Sequence, residues 1–243
     1  MIVIDLEEIL NEHDCTLSND LSDESIANFV AKTYSERWYS SFPYLENDPV
    51  YFESKNIEEK ILNNAQFVAF CLYLSFLTEK MLNYKWNEIE EWPRNEIKEW
   101  DKKGGLCIYL SVLHYCLLME SRIIPEKRLG LVQGFYSHPT HGIMSIFDNM
   151  KIQSGLHAFI TVNNCVVDFS IKQEACVFNF KNGNEFIMGD IPEDMTLGGW
   201  IEGKVLAKKY AREIARSSGM NYLDWIEKHM IYAYDVSLQE LRQ

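Results

Sequence analysis

Leu156-His157-Ala158-Phe159-Ile160-Thr161-Val162-Asn163-Asn164-Cys165-Val166-Val167-Asp168-Phe169-Ser170 reads as two short strands joined by Asn163-Asn164. With a two-residue turn, Val162 faces Cys165, Phe159 faces Asp168, and His157 faces Ser170. Strand side chains alternate, so His157, Phe159 and Thr161 share a face with Val166, Asp168 and Ser170. Leu156, Ala158, Ile160 and Val162 point the other way with Val167 and Phe169, into apolar packing. His157 and Asp168 become diagonal neighbours, roughly 7–8 Å apart at the backbone. Side chains of that length can meet in a hydrogen bond. The acid would then fix the imidazole tautomer and aim its other nitrogen at a nucleophile. Two other outcomes are open: a solvent-exposed cross-strand pair, or a bulge that moves Asp168 to the wrong face.

Outward from this hairpin, Arg128 to Tyr136 reads as a strand and Ser137 to Ser154 as a polar loop bordering the site. Ala175 to Phe180 and Glu185 to Met188 flank Asn182-Gly183, a hairpin signal. The N-terminal side is helical. Ser22 can cap a helix carrying Ile26, Phe29, Val30, Tyr34 and Trp38, and Tyr44 to Phe52 is a loop. Helices follow over Ile57 to Leu82 and Trp86 to Trp100, and Gly104-Gly105 breaks the second. Leu106 to Met119 is almost wholly apolar, as in a helix buried on all sides. After Gly198-Gly199, helices are expected over Trp200 to Arg216 and Tyr222 to Leu241. Helices and an antiparallel sheet in separate runs give an α+β class. The expected organisation is a helical region over 1–103, a core over 104–190 and C-terminal helices over 191–243, packed as one compact domain.

Of the six cysteines, Cys107 stands apart. It opens the buried helix just after Gly104-Gly105, where unpaired N–H groups and the helix dipole favour a thiolate. The same N–H groups can hold an oxyanion. Glycine at 105 would let a substrate backbone come close. The bland alternative is a Gly-Gly turn followed by a core cysteine. A thiolate needs a base, and geometry sorts the histidines. His114 shares a helix face with Cys107 but lies about 10 Å further along the axis. His13 and His229 sit in acidic helical surroundings and read as surface residues. His138 and His141 are read as solvated loop residues, because no companion ligands complete a metal site. His157, with Asp168 behind it, is the candidate base.

Composition narrows the function classes. The 243-residue chain carries 23 basic and 36 acidic residues, a formal charge of −13. That sign argues against nucleic acid and anionic membranes as partners. The N-terminus has no basic segment before its apolar residues and is not read as a signal peptide. A cytoplasmic protein with reduced thiols is expected. No phosphate loop or dinucleotide fingerprint is present, so no cofactor and no metal are expected.

Together, Gly104-Gly105-Leu106-Cys107, the strand Arg128 to Tyr136, His157-Ala158-Phe159 and Val167-Asp168 resemble the transglutaminase-like superfamily, which shares a papain-type core. The resemblance covers residues 104–170. Phe159 stands where the family has Trp, and Phe169-Ser170 where Pro-Thr is common. The resemblance implies Cys107 as nucleophile, His157 as base and Asp168 as orienter. It also implies a nucleophile-bearing buried helix packed on an antiparallel sheet. The implied chemistry is attack on an amide or peptide carbonyl through an acyl-enzyme, resolved by water in a cysteine peptidase, amidase or deamidase. Transfer to an amine, as in an acyltransferase or transglutaminase, is the alternative. A catalytically inactive binding module on the same fold is another. The substrate would be a peptide or other amide-bearing molecule, including a protein. Gln66 is the candidate for the second oxyanion donor by type, against a buried satisfied amide. Gly105, Trp100 and Phe159 are candidate substrate contacts.

Overall fold

Apolar residues on every side of a helix require protein on every side, and among the described helices the one after Gly105 meets that condition. The computed structural model describes residues 57–82, 86–102, 105–138, 142–143, 157–162, 165–170, 187–189 and 196–241. Helix α1 (Ile57–Leu82) buries Phe67, Ala69 to Leu74 and Leu77. A short 3-10 turn, Trp86–Glu88, leads to α2 (Glu91–Lys102). Helix α3 (Leu106–Ser121) buries every residue from Leu106 to Met119 except Ile108. It stops at Arg122, whose left-handed backbone lets its N–H reach the Met119 carbonyl. Each large apolar side chain buried here contributes roughly 1.5–3 kcal/mol.

The strands are β1 (Leu129–His138), β2 (Gly142–Ile143), β3 (His157–Val162), β4 (Cys165–Asp168), β5 (Ile187–Gly189) and β6 (Thr196–Glu202). They form one sheet along the path β2-β1-β3-β4-β5, with β6 also paired to β1. Every pairing is antiparallel. The β3–β4 register is Val162 with Cys165, Thr161 with Val166 and Ile160 with Val167, the register of a two-residue turn. Asp168 therefore stays on the His157 face.

Helices α4 (Lys204–Ser217) and α5 (Tyr222–Leu241) close the chain. Helix α4 turns Ala207, Ala211, Ile214 and Ala215 inward, one stripe at helical spacing. Asn221 caps α5 by accepting the N–H groups of Leu223 and Asp224, each at 3.0 Å. Helix α3 packs against both β1 and β3 and against the other four helices. The main core joins α3 to side chains from every helix and from β1, β3 and β4.

The structure is α+β, and it corrects two readings. Trp200 to Glu202 are not helical. They belong to β6, which runs beside β1 from Thr196–Ser137 to Glu202–Leu131. The segment after residue 191 therefore adds a strand to the sheet as well as two helices. Gly198 and Gly199 lie within that strand, opposite Phe135 and Gly134, and do not end it. The region expected to be a polar loop from Ser137 begins in strand, with Ser137 facing Ile143 and His138 facing Gly142. The helix expected after Ser22 and the Asn182-Gly183 hairpin lie outside the described residues. Among the described residues, no helix is long and apolar enough to cross a membrane.

Candidate active site

Cys107 lies in the first turn of α3, where backbone N–H groups have no partner within the helix. Gly105 caps the helix with its carbonyl accepting the Tyr109 N–H at 2.9 Å. Its own N–H donates to the Trp100 carbonyl at 3.1 Å, tying the end of α2 to the start of α3. A Cβ on Gly105 would stand 3.1 Å from the Trp100 ring. On this side of Gly105 the half-buried Trp100 indole fills the space. The Cys107 side chain is 5% exposed.

His157 and Asp168 are each 2% exposed. The imidazole Nε2 lies 2.7 Å from Asp168 Oδ2. The other carboxylate oxygen accepts two bonds from Ser170, one from its N–H at 2.8 Å and one from its hydroxyl at 2.7 Å. A carboxylate held in this way keeps the proton on Nε2 and leaves Nδ1 as the basic nitrogen. The Ser170 oxygen is also 3.4 Å from Nε2. A solvent-exposed cross-strand pair is excluded, because both faces of β3 are buried. Phe159 is 0% exposed and its ring stacks on His157 at 6.1 Å between centroids. Its expected role as a substrate contact is corrected: in this structure it supports the imidazole.

Helix α3 packs on β3, and Ser111, one turn after Cys107, donates to the Ala158 carbonyl at 2.7 Å. The structure thus joins His157 to Asp168 and brings the Cys107 helix onto the His157 strand. It does not join the thiol to the imidazole by a hydrogen bond among the described residues. Gln66 is half-buried on α1, which packs against α3.

The remaining described thiols and imidazoles sort by burial. Burial pushes the Cys71 thiol well up and the Cys116 thiol up to about 12, so both are inert. Burial holds His114 down to about 3, against the opposing pull of Asp168. Its Nε2 sits 3.9 Å from Cys71 Sγ and its ring meets Phe169 edge-on. It is a neutral core imidazole at pH 7. Among the described residues, no group of three His, Cys, Asp or Glu side chains is placed to hold a metal.

His229 is not a surface residue; it is 0% exposed. Tyr73 Oη lies 2.8 Å from its Nδ1, and Glu96 Oε1 3.3 Å from its Nε2. Trp225 Nε1 donates to both Glu96 oxygens, at 3.0 and 3.2 Å, and the Ser218 hydroxyl donates to Oε2. Burial pushes the Glu96 carboxyl up, but the bond and charge of His229, with the Ser218 and Trp225 donors, hold it below the ordinary range. Burial lowers His229 against the opposing effect of Glu96. At pH 7 the pair is an anionic carboxylate beside a neutral imidazole, and the charge of His229 acts only once acid protonates it. Helical spacing carried the signal: Trp225, Ile226, His229, Met230 and Ala233 form one buried stripe.

No family model, curated protein or solved structure matches this chain.

Proposed function

We propose that this chain is a thiol enzyme of the transglutaminase-like, papain-related type, which cleaves an amide or peptide bond through an acyl-enzyme. The observation that carries the reading is the buried 2.7 Å contact between His157 Nε2 and Asp168 Oδ2. It orients an imidazole on the strand against which the Cys107 helix packs.

The proposed chemistry gives each of these residues a step. His157 Nδ1 takes the Cys107 proton as the sulfur attacks the carbonyl carbon. The oxyanion is stabilised by first-turn N–H groups of α3, that of Cys107 among them. The imidazolium, stabilised by Asp168, returns the proton to the leaving amine as the C–N bond breaks. Water then attacks the thioester as His157 accepts its proton, the C–S bond breaks, the carboxylic acid leaves, and the imidazolium returns the proton to the Cys107 sulfur. An amine in place of water gives acyl transfer by the same steps. Gln66 is the candidate for a second oxyanion donor. The substrate is a peptide or other amide, and a compartment that keeps thiols reduced suits the mechanism.

A second reading is a non-catalytic module on this fold: among the described residues, the Cys107 thiol has no hydrogen bond to His157. Alkylation separates the two. Brief iodoacetamide treatment across pH 5–9, followed by peptide mapping, should label Cys107 ahead of Cys71 and Cys116. The rate profile should change in His157→Ala. A Cys107 rate and pH profile that do not change on loss of His157 overturn the catalytic reading.

A further inference from the structure

Helix α3 is apolar along almost its whole length, and Ser111 interrupts it at a buried position. A serine inside a helix ordinarily bonds back to the carbonyl one turn before it. Here the hydroxyl reaches out of the helix to the Ala158 carbonyl at 2.7 Å. Ala158 directly follows His157. The β3–β4 ladder ends at Ile160–Val167, short of Ala158. Beyond that end, hydroxyl groups serve the Ala158 carbonyl: Ser111 from α3, and Ser170 at 3.5 Å from the segment after Asp168. The nucleophile helix, the base strand and the acid segment thus meet at one carbonyl oxygen.

We propose that Ser111 is a positioning residue, whose hydrogen bond to the Ala158 carbonyl sets the separation of Cys107 from His157. The proposal rests on the catalytic reading above. Cys107 and Ser111 are four residues apart and share a helix face, so the serine anchors the turn next to the thiol. A hydrogen bond is short and directional where apolar packing is not, so it resists sliding of α3 along β3. Proton transfer depends steeply on such sliding, because a shift near 1 Å can cost about a hundredfold in rate.

The test uses the full chain and four variants: Ser111→Ala, Ser111→Thr, His157→Ala and, as a control on the same helix, Ser121→Ala. Among the described residues, the Ser121 hydroxyl bonds within α3, to the Leu118 carbonyl at 3.1 Å. The readouts are the Cys107 alkylation rate, its pH profile and Tm. Ser111→Ala should slow Cys107 by about tenfold or more at pH 7 and move its pH profile towards that of His157→Ala. Ser111→Thr keeps the hydroxyl and should restore the profile, and Ser121→Ala should leave it unchanged. A purely structural serine would lower Tm without moving the profile. If the rate depends on His157 and Ser111→Ala retains the wild-type profile, the positioning role is overturned and the catalytic reading stands. If the wild-type rate does not depend on His157, the catalytic reading fails first and the proposal falls with it.

Discussion

His157 Nε2 lies 2.7 Å from Asp168 Oδ2, between side chains that are both almost fully buried. Asp168 spends its other oxygen on the N–H and hydroxyl of Ser170. The carboxylate is therefore surrounded by donors, and its replacement has a defined consequence.

In Asp168→Asn, the amide oxygen can keep the Ser170 bonds only by turning its NH2 towards His157. The imidazole must then accept at Nε2 and carry its proton on Nδ1, the nitrogen meant to take the thiol proton. Cys107 alkylation near neutral pH should fall by orders of magnitude. The fold should survive with a loss of about 1–2 kcal/mol, because each hydrogen bond is kept but loses the charge of the carboxylate. Alkylation rate and Tm on the same sample check both parts. An unchanged Cys107 rate in folded protein removes Asp168 from the site.

Acid should destabilise the protein before its carboxylates titrate fully. His114 is held from its ordinary 6.5 down to about 3 by burial. Below pH 6.5 the unfolded chain takes up a proton at this position that the folded chain refuses, so stability falls as pH falls through that window. The loss is on the order of 3 kcal/mol by pH 4.5. His229, lowered by burial, adds to it with the same sign. Urea unfolding at pH 7 and pH 4.5 measures the difference. His114→Leu should shrink it, and an equal loss in both proteins would contradict the assignment.

Glu96→Leu removes the acceptor for His229, Trp225 and Ser218 at once. Each buried donor left without an acceptor costs about 1–3 kcal/mol. The double variant Glu96→Leu with His229→Leu should be less damaged than the two single losses combined, by at least about 1 kcal/mol. Urea unfolding of the four proteins supplies the cycle. Additive losses would mean that Glu96 and His229 do not act as a pair.

Gly105→Ala tests the close contact of α2 and α3. The Gly105 backbone, at φ −106° and ψ 19°, is open to alanine, so the cost is steric. The new methyl would stand 3.1 Å from Trp100 Cε3 and 3.5 Å from Cζ3. A destabilisation of about 1 kcal/mol is expected, read as a drop in Tm of a few degrees. Much of the Gly105→Ala cost should disappear in a Trp100→Leu background. If Gly105→Ala costs as much in that background as beside the native Trp100, the indole is not what restricts this position.

Local pattern was enough for the elements whose signal is periodic. The almost wholly apolar run after Gly105 reads as a helix enclosed by protein, and α3 is buried along its length. Alternation on either side of Asn163-Asn164 fixed which side chains share a face, because a one-residue slip would move every apolar group to the other side. That is why the alignment of His157 with Asp168 was legible. Other features depend on residues far apart in the chain. Trp200 to Glu202 became strand because β1 offered an edge some seventy residues earlier, and pairing overrode a local reading of helix. His229 is buried because α1, α2 and α3 converge on α5, bringing Tyr73, Glu96 and Tyr109 to its ring. The junction of Ser111 and Ser170 at the Ala158 carbonyl has no period and no motif. It exists only where a helix, a strand and the end of a ladder meet. Alternation along a strand depends on neighbours in sequence, whereas a hydrogen bond between elements depends on where packing brings them to rest.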